Sequence, residues 1–157
     1  IPSAEYFNEL KRVSKNQIIW GGNYFNLPIQ RGWIFWDKDI RDGLSFSDGE
    51  LAWTNFDRVL KRCFIPYSGF RGADNGGKIH PTQKPAALYQ WLLTNYAEPN
   101  QKILDTHLGS GSIAIAVDSV NKIEKMNLTL TACELDREYY QTATQRIKEQ
   151  TTWNSLF

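Results

Sequence analysis

Cysteine and histidine are scarce in this 157-residue chain, two of each, and methionine occurs once. So few soft ligands argue against a His/Cys metal cluster and leave no metal assigned. Cys63 and Cys133 lie in separate β-like apolar stretches, so they are expected as buried free thiols rather than a disulfide, which suits the reducing cytoplasm. No apolar run approaches the ~18 residues of a membrane span, and no basic-then-apolar start marks a secretory signal. Internal repeats and low-complexity tracts are absent. The chain also lacks an initiator methionine: it opens at Ile1 and enters a helical pattern almost at once, from which a preceding front end is expected.

What is present is the ordinary composition of one globular domain, 41% hydrophobic and 22% charged, long enough for one sizeable core. The net charge of +1 hides an asymmetry. Residues 58–84 carry Arg58, Lys61, Arg62, Arg71, Lys78 and Lys84 against a single acid, Asp74, while both flanks are slightly acidic. Concentrated positive charge fits a polyanion-binding surface; a solvated loop is the plainer alternative.

Ser3 is placed to cap a helix whose Tyr6, Leu10 and Val13 share a face, with Phe7 beside them. Residues 17–22 (QIIWGG) and 32–37 (GWIFWD) read as buried strands, and residues 51–56 and 63–67 as two more, expected to be antiparallel neighbours. Residues 41–49 and the glycine-rich 68–78 read as loops. The C-terminal half alternates: a helix after Pro85 with Leu88, Trp91, Leu92 and Tyr96 as its stripe, a strand at 102–105, and the glycine turn HLGSGS. A helix follows with Ile113, Ala116, Val117 and Val120 on one face, then a strand at 128–133 and a last helix with Tyr139, Tyr140, Ala143 and Ile147. Such alternation predicts an α/β fold with a parallel sheet covered by helices on both faces.

Asp105-Thr106-His107-Leu108-Gly109-Ser110-Gly111-Ser112 sits where a strand turns into a helix. Glycines there let a ligand approach the backbone and the free helix N–H groups. Glu134 ends the next strand, where a carboxylate can accept from both ribose hydroxyls. The unit is a nucleoside-binding one. Gly109-x-Gly111-x-x-Ala114 also satisfies the dinucleotide fingerprint, so NAD is a rival, but only one strand and one helix follow it. No lysine follows the glycines, which excludes a P-loop.

Ahead of this unit stands His80-Pro81-Thr82-Gln83-Lys84-Pro85. Here the sequence resembles the β-class DNA amino-methyltransferases, in which an HPTQKP segment precedes a D-P-F-x-G-S-G-type cofactor loop at the spacing that separates His80 from Asp105. The resemblance implies a circularly permuted, Rossmann-like class I methyltransferase sheet spanning residues 1–157 as a single domain. Residues 1–57 would supply the middle strands and a helix, 58–79 the basic DNA-recognition region and 80–157 the cofactor-binding half. It implies S-adenosylmethionine as cofactor, with Asp105, Thr106, Gly109, Ser110 and Gly111 around the methionyl part, Glu134 on the ribose, and Thr82 and Lys84 near the carboxylate. His80 and Pro81 would shape the turn. Thr106 and His107 replace the family's usual Pro-Phe.

The implied activity is methyl transfer to an exocyclic amino group of a base in double-stranded DNA, adenine N6 favoured by similarity to compact phage-type adenine methylases. Cytosine N4 methylation and a non-catalytic nucleoside- or DNA-binding module stand as alternatives. A bacterial or phage-encoded cytoplasmic enzyme, of the kind found in restriction–modification, is implied. Arg58, Lys61, Arg62, Arg71 and Lys78 are the candidates for phosphate contacts. Trp53 and Phe56 either stack on bases or pack in the core. So short a recognition region would read few base pairs or draw on a partner subunit, as in a homodimer. The tail Asn154-Ser-Leu-Phe157 faintly resembles a sliding-clamp-binding end; a terminus tucked onto the body is the alternative. The family's catalytic loop, Asp-Pro-Pro-Tyr or Ser-Pro-Pro-Tyr, does not occur in the chain. No catalytic residue is therefore assigned, and the central strand that carries the loop is expected to be missing from the N-terminal side.

Overall fold

A computed structural model describes residues 2–40, 47–67 and 78–153, with side chains described to residue 151. The chain divides into two compact units, Ile1–Ser68 and Gly69–Phe157.

The first unit opens with α1 (Ala4–Val13), capped by the Ser3 hydroxyl, which accepts from the Tyr6 amide at 3.3 Å. Glu5 in the first turn and Lys11 and Arg12 in the last suit the helix dipole. Of the expected stripe, Tyr6 and Leu10 are half-buried while Val13 faces solvent. Phe7 packs on Phe25 instead, ring centres 5.2 Å apart.

Four strands follow: β1 (Ile18–Trp20), β2 (Trp33–Asp37), β3 (Gly49–Thr54) and β4 (Lys61–Phe64), in the order β1-β3-β2-β4. β3 runs antiparallel to both β1 and β2, and β4 parallel to β2. The antiparallel pairing expected between the third and fourth strands is therefore wrong: β2 lies between them. Two side-chain ties hold β4 against β2. The Trp36 indole donates to the Ile65 carbonyl at 2.9 Å, and Arg62 pairs with Asp37 at 2.7 Å. Ile34, Trp36, Ala52, Trp53 and Cys63 form the buried centre of this sheet.

The second unit contains α2 (Ala86–Tyr96), β5 (Lys102–Asp105), α3 (Ser112–Ile123), β6 (Thr129–Ala132) and α4 (Arg137–Trp153). β5 and β6 pair in parallel, Ile103 opposite Leu130 and Asp105 opposite Ala132. Ile103 and Leu130 pack on a core of Leu93, Ile113, Ala116, Val117, Val120, Met126 and Leu128. The Asn121 side chain clasps the strand entry, accepting from the Leu128 amide at 2.7 Å and donating to its carbonyl at 2.9 Å.

The expected burial of Cys133 fails here. Side chains alternate across a strand, and the face carrying Leu104 and Thr131 stays open, with Leu104 42% exposed. Within this unit the helices described cover the face that carries Ile103 and Leu130. Cys133 continues the open face and is exposed, unlike buried Cys63. In α4 the expected stripe is also shifted: Tyr140 points outward, while Ala143 and Arg146 are the buried positions.

Candidate functional site

The turn between β5 and α3 is built by backbone geometry. Gly109 and Gly111 both take left-handed conformations, φ +54° and +77°, which glycine adopts without a Cβ penalty. The Gly111 amide donates to the Leu108 carbonyl at 2.9 Å, and Gly111 caps α3 without any side-chain hydrogen bond. Beyond the β5–β6 ladder, the Cys133 amide donates to the Asp105 carbonyl and the Leu108 amide to the Cys133 carbonyl, at 2.9 and 2.8 Å. These bonds carry the strand pairing into the turn.

Glu134 closes onto this turn. Its Oε2 accepts from the Gly109 amide at 2.8 Å and its Oε1 from the Asp136 amide at 3.0 Å. Those amides, Asp136 foremost, hold its carboxyl below the usual range. With the Leu135 amide as a third donor, the carboxylate still has acceptor capacity to spare for a ligand. Burial pushes the Asp105 carboxyl the other way, above its ordinary value, although its Oδ1 accepts from the His107 amide at 2.9 Å.

The HPTQKP segment folds as a tight turn beside the glycines. The Thr82 amide and hydroxyl meet His80 Nδ1 at 3.3 and 3.1 Å, and the Gln83 amide donates to the His80 carbonyl at 3.1 Å. Buried Gln83 accepts from the Ile79 amide at 2.9 Å. The His80 ring packs edge-on against Tyr139 at 4.4 Å, and a Cβ built on Gly109 would lie 3.6 Å from it. His80, Gly109, Glu134 and Tyr139 therefore meet at one place. Thr82 is exposed and Lys84 half-buried in the same segment.

The profile of the N6/N4 DNA methylases, described as "DNA methylase", matches residues 7–145. The chain belongs to that family. It is similar to "Putative methylase YubD" of Escherichia coli (strain K12), 30% identical over 73 residues, a match that takes in 46% of this chain and 30% of that protein. This chain thus matches less than a third of that relative's length. Among solved structures it resembles the M1.HpyAVI–SAM complex with a TM-score of 0.55 at 19% identity, over 92% of this chain and 70% of the other. That likeness shows a shared fold.

In this DNA methylase family member the remaining sequence-predicted residues fall in different settings. Thr106 is half-buried with its hydroxyl 2.9 Å from His107 Nδ1. Ser110 is buried with its hydroxyl 3.1 Å from that of Ser112, so its side chain serves the loop's interior. Arg58 lies over the Phe56 ring at 5.9 Å, and Arg62 over Phe64 at 5.2 Å while paired to Asp37. Lys61 and Lys78 are exposed. Arg71 and the tail 154–157 lie outside the described residues. Trp53 is 3% exposed, and its indole donates to the Pro28 carbonyl at 2.8 Å, so it serves the core. Among the described residues no His/Cys/Asp/Glu group could hold a metal ion, and no helix is long and apolar enough to cross a membrane.

Sequence reasoning missed Arg146. Its guanidinium is buried against the loop, donating to the Ser110 carbonyl at 2.6 Å and the Ser112 hydroxyl at 3.1 Å. The signal was its spacing: it stands three residues after Ala143 and one before Ile147, on the face of α4 turned inward.

Proposed function

We propose that this chain is the cofactor-binding part of an S-adenosylmethionine-dependent DNA amino-methyltransferase, acting on double-stranded DNA with adenine N6 as the favoured acceptor. The observation that carries this reading is the bond from the Gly109 amide to Glu134, which joins the acid at the strand end to the glycine loop. A loop with two left-handed glycines, a helix start behind it that no side chain caps, and a carboxylate with acceptor capacity to spare fit an amino-acid-bearing nucleoside. Glu134 would take the ribose hydroxyls, and Asp105, Thr106 and the backbone of Gly109, Ser110 and Gly111 the methionyl end. His80, Thr82 and Lys84 would border the carboxylate. When bound, S-adenosylmethionine supplies an electrophilic methyl group; the residues present bind and orient it.

The acceptor-holding loop is read as lying outside these 157 residues, since neither Asp-Pro-Pro-Tyr nor Ser-Pro-Pro-Tyr occurs in them. Among the described residues, β1 and β5 each pair on one side only, which leaves each an edge able to take another strand. In this reading both units belong to one permuted methyltransferase domain. Arg58, Lys61, Arg62, Arg71 and Lys78 are its phosphate contacts.

Calorimetric titration separates the cofactor classes: S-adenosylmethionine is expected to bind and NAD not to. Binding of NAD alone would overturn the reading. Charge reversal of Lys61 and Lys78 is expected to weaken binding to duplex DNA and flatten its salt dependence; unchanged affinity would remove DNA contact from this segment.

A further inference from the structure

We infer that Arg146 is a positioning residue that shapes the glycine loop for the amino-acid end of its ligand; the inference rests on the cofactor reading above. Arg146 is 5% exposed, and a charged side chain so buried is costly unless its donors are engaged. Here one nitrogen, Nη1, engages two parts of the loop at once: the Ser110 carbonyl between the two left-handed glycines, and the hydroxyl of Ser112, the first residue of α3. Arginine carries only donors, so both loop oxygens must accept. The Ser110–Gly111 peptide is thereby fixed with its carbonyl turned to α4.

The neighbours of Arg146 complete the contact. A Cβ on Gly111 would lie 2.7 Å from Ile147 Cδ1 and 3.4 Å from the Ala143 carbonyl. Ala143, Arg146 and Ile147 thus form a backing surface for the loop. On its other flank the Gly109 amide reaches Glu134, so Gly109 faces the ribose acid while Ser110 and Ser112 face the arginine latch. The latch therefore bears directly on the loop, whose backbone is read as bordering the methionyl group, and reaches Glu134 on the ribose side only through Gly109.

That division gives the test. Two nucleosides are titrated calorimetrically into the full protein, well below its unfolding temperature: S-adenosylhomocysteine, which has the amino-acid end, and 5′-methylthioadenosine, which lacks it. The variants are Arg146→Lys, which keeps the charge but not the fork, Arg146→Met, and Ser112→Ala. Arg146→Lys is expected to lose about tenfold in affinity for S-adenosylhomocysteine, the scale of one charged hydrogen bond, and less than about twofold for 5′-methylthioadenosine. Ser112→Ala should lose less, and its loss should not add to that of Arg146→Lys, as expected for groups sharing one bond. Equal losses for both ligands, or none, would overturn the proposal and leave Arg146 a purely structural residue.

Amide hydrogen exchange on the ligand-free variants gives a second readout that needs no ligand. Faster exchange confined to residues 109–113 in Arg146→Lys supports the latch; unchanged exchange there overturns it. Should the wild-type protein bind neither nucleoside, the cofactor reading fails, and the exchange result still decides whether the latch exists.

Discussion

Asp37 at the end of β2 and Glu134 just beyond β6 begin from the same local device. Each carboxylate accepts from the amide two residues on, Asp39 in one case and Asp136 in the other, both at 3.0 Å. Each is held below the usual carboxylate range, with that amide as the first cause. They part at the next contact. Asp37 reaches a guanidinium, Arg62 on the neighbouring strand, whereas Glu134 reaches a backbone amide of a glycine loop. An arginine partner cancels a charge and ties two strands together. An amide partner leaves the negative charge in place beside the glycine loop. The strand end is a generic perch, and the third group decides whether it braces a neighbouring strand or bears on a loop.

The strongest way to break the site side of that contrast is to fill its glycines. Gly111→Ala combines a left-handed backbone with a Cβ in contact with Ile147, and should cost about 2–4 kcal/mol of stability in chemical denaturation. Gly109→Ala, which meets only ordinary contacts, should cost about 1–2 kcal/mol, the backbone part alone. Equal losses at the two positions would mean that α4 does not bear on the loop.

Next comes Glu134→Ala, for which calorimetry should show at least about a tenfold loss of S-adenosylmethionine affinity, with little change in unfolding temperature. Retained affinity would take Glu134 out of the site. The matching change on the brace side is Asp37→Asn. Releasing Arg62 from its carboxylate should raise affinity for duplex DNA modestly and steepen the salt dependence by roughly one counterion, read by fluorescence anisotropy over a potassium chloride series. A slope that does not change would show that Arg62 does not meet DNA.

The smallest expected effect is on acid stability, and the two carboxylates around the glycine turn pull it in opposite directions. Glu134, depressed when folded, stabilises the protein above its unfolded pKa, and that contribution is lost as pH falls through the lowered folded value. Asp105, raised by burial, favours the folded state while protonated, and that contribution is lost as pH rises from its ordinary value through the raised one. Denaturation between about pH 3 and 7 should therefore show a shallower acid limb in Glu134→Gln and a smaller decline with rising pH in Asp105→Asn.

The sequence was most readable where the fold is local. Residues 102–105, the glycine turn and the helix from 112 to 123 lie where their pattern puts them, because the strand, the turn and the helix are successive pieces of one chain segment. The acid at 134 was legible for the same reason. Adjacency in the first sheet was not: β2 inserts between β3 and β4 through the Trp36 and Arg62 contacts, which join residues far apart in sequence and leave no periodic trace. Arg146 was hidden by its type, since a charged residue on a helix reads as solvent-facing until its acceptors are seen. Cys133 misled in the reverse direction: an apolar-looking strand end belongs to the open face of β6.

The packing of Ile147 and Ala143 against Gly111 also bears on how the protein is made. Synthesis proceeds from the N-terminus, so β5, the glycine turn and α3 are all completed before the helix that backs them. Until residues 143–147 have been added, the loop lacks the surface that holds its shape. A ribosome-bound chain stopped before them would thus carry every glycine of the loop without the helix face that holds the loop in shape.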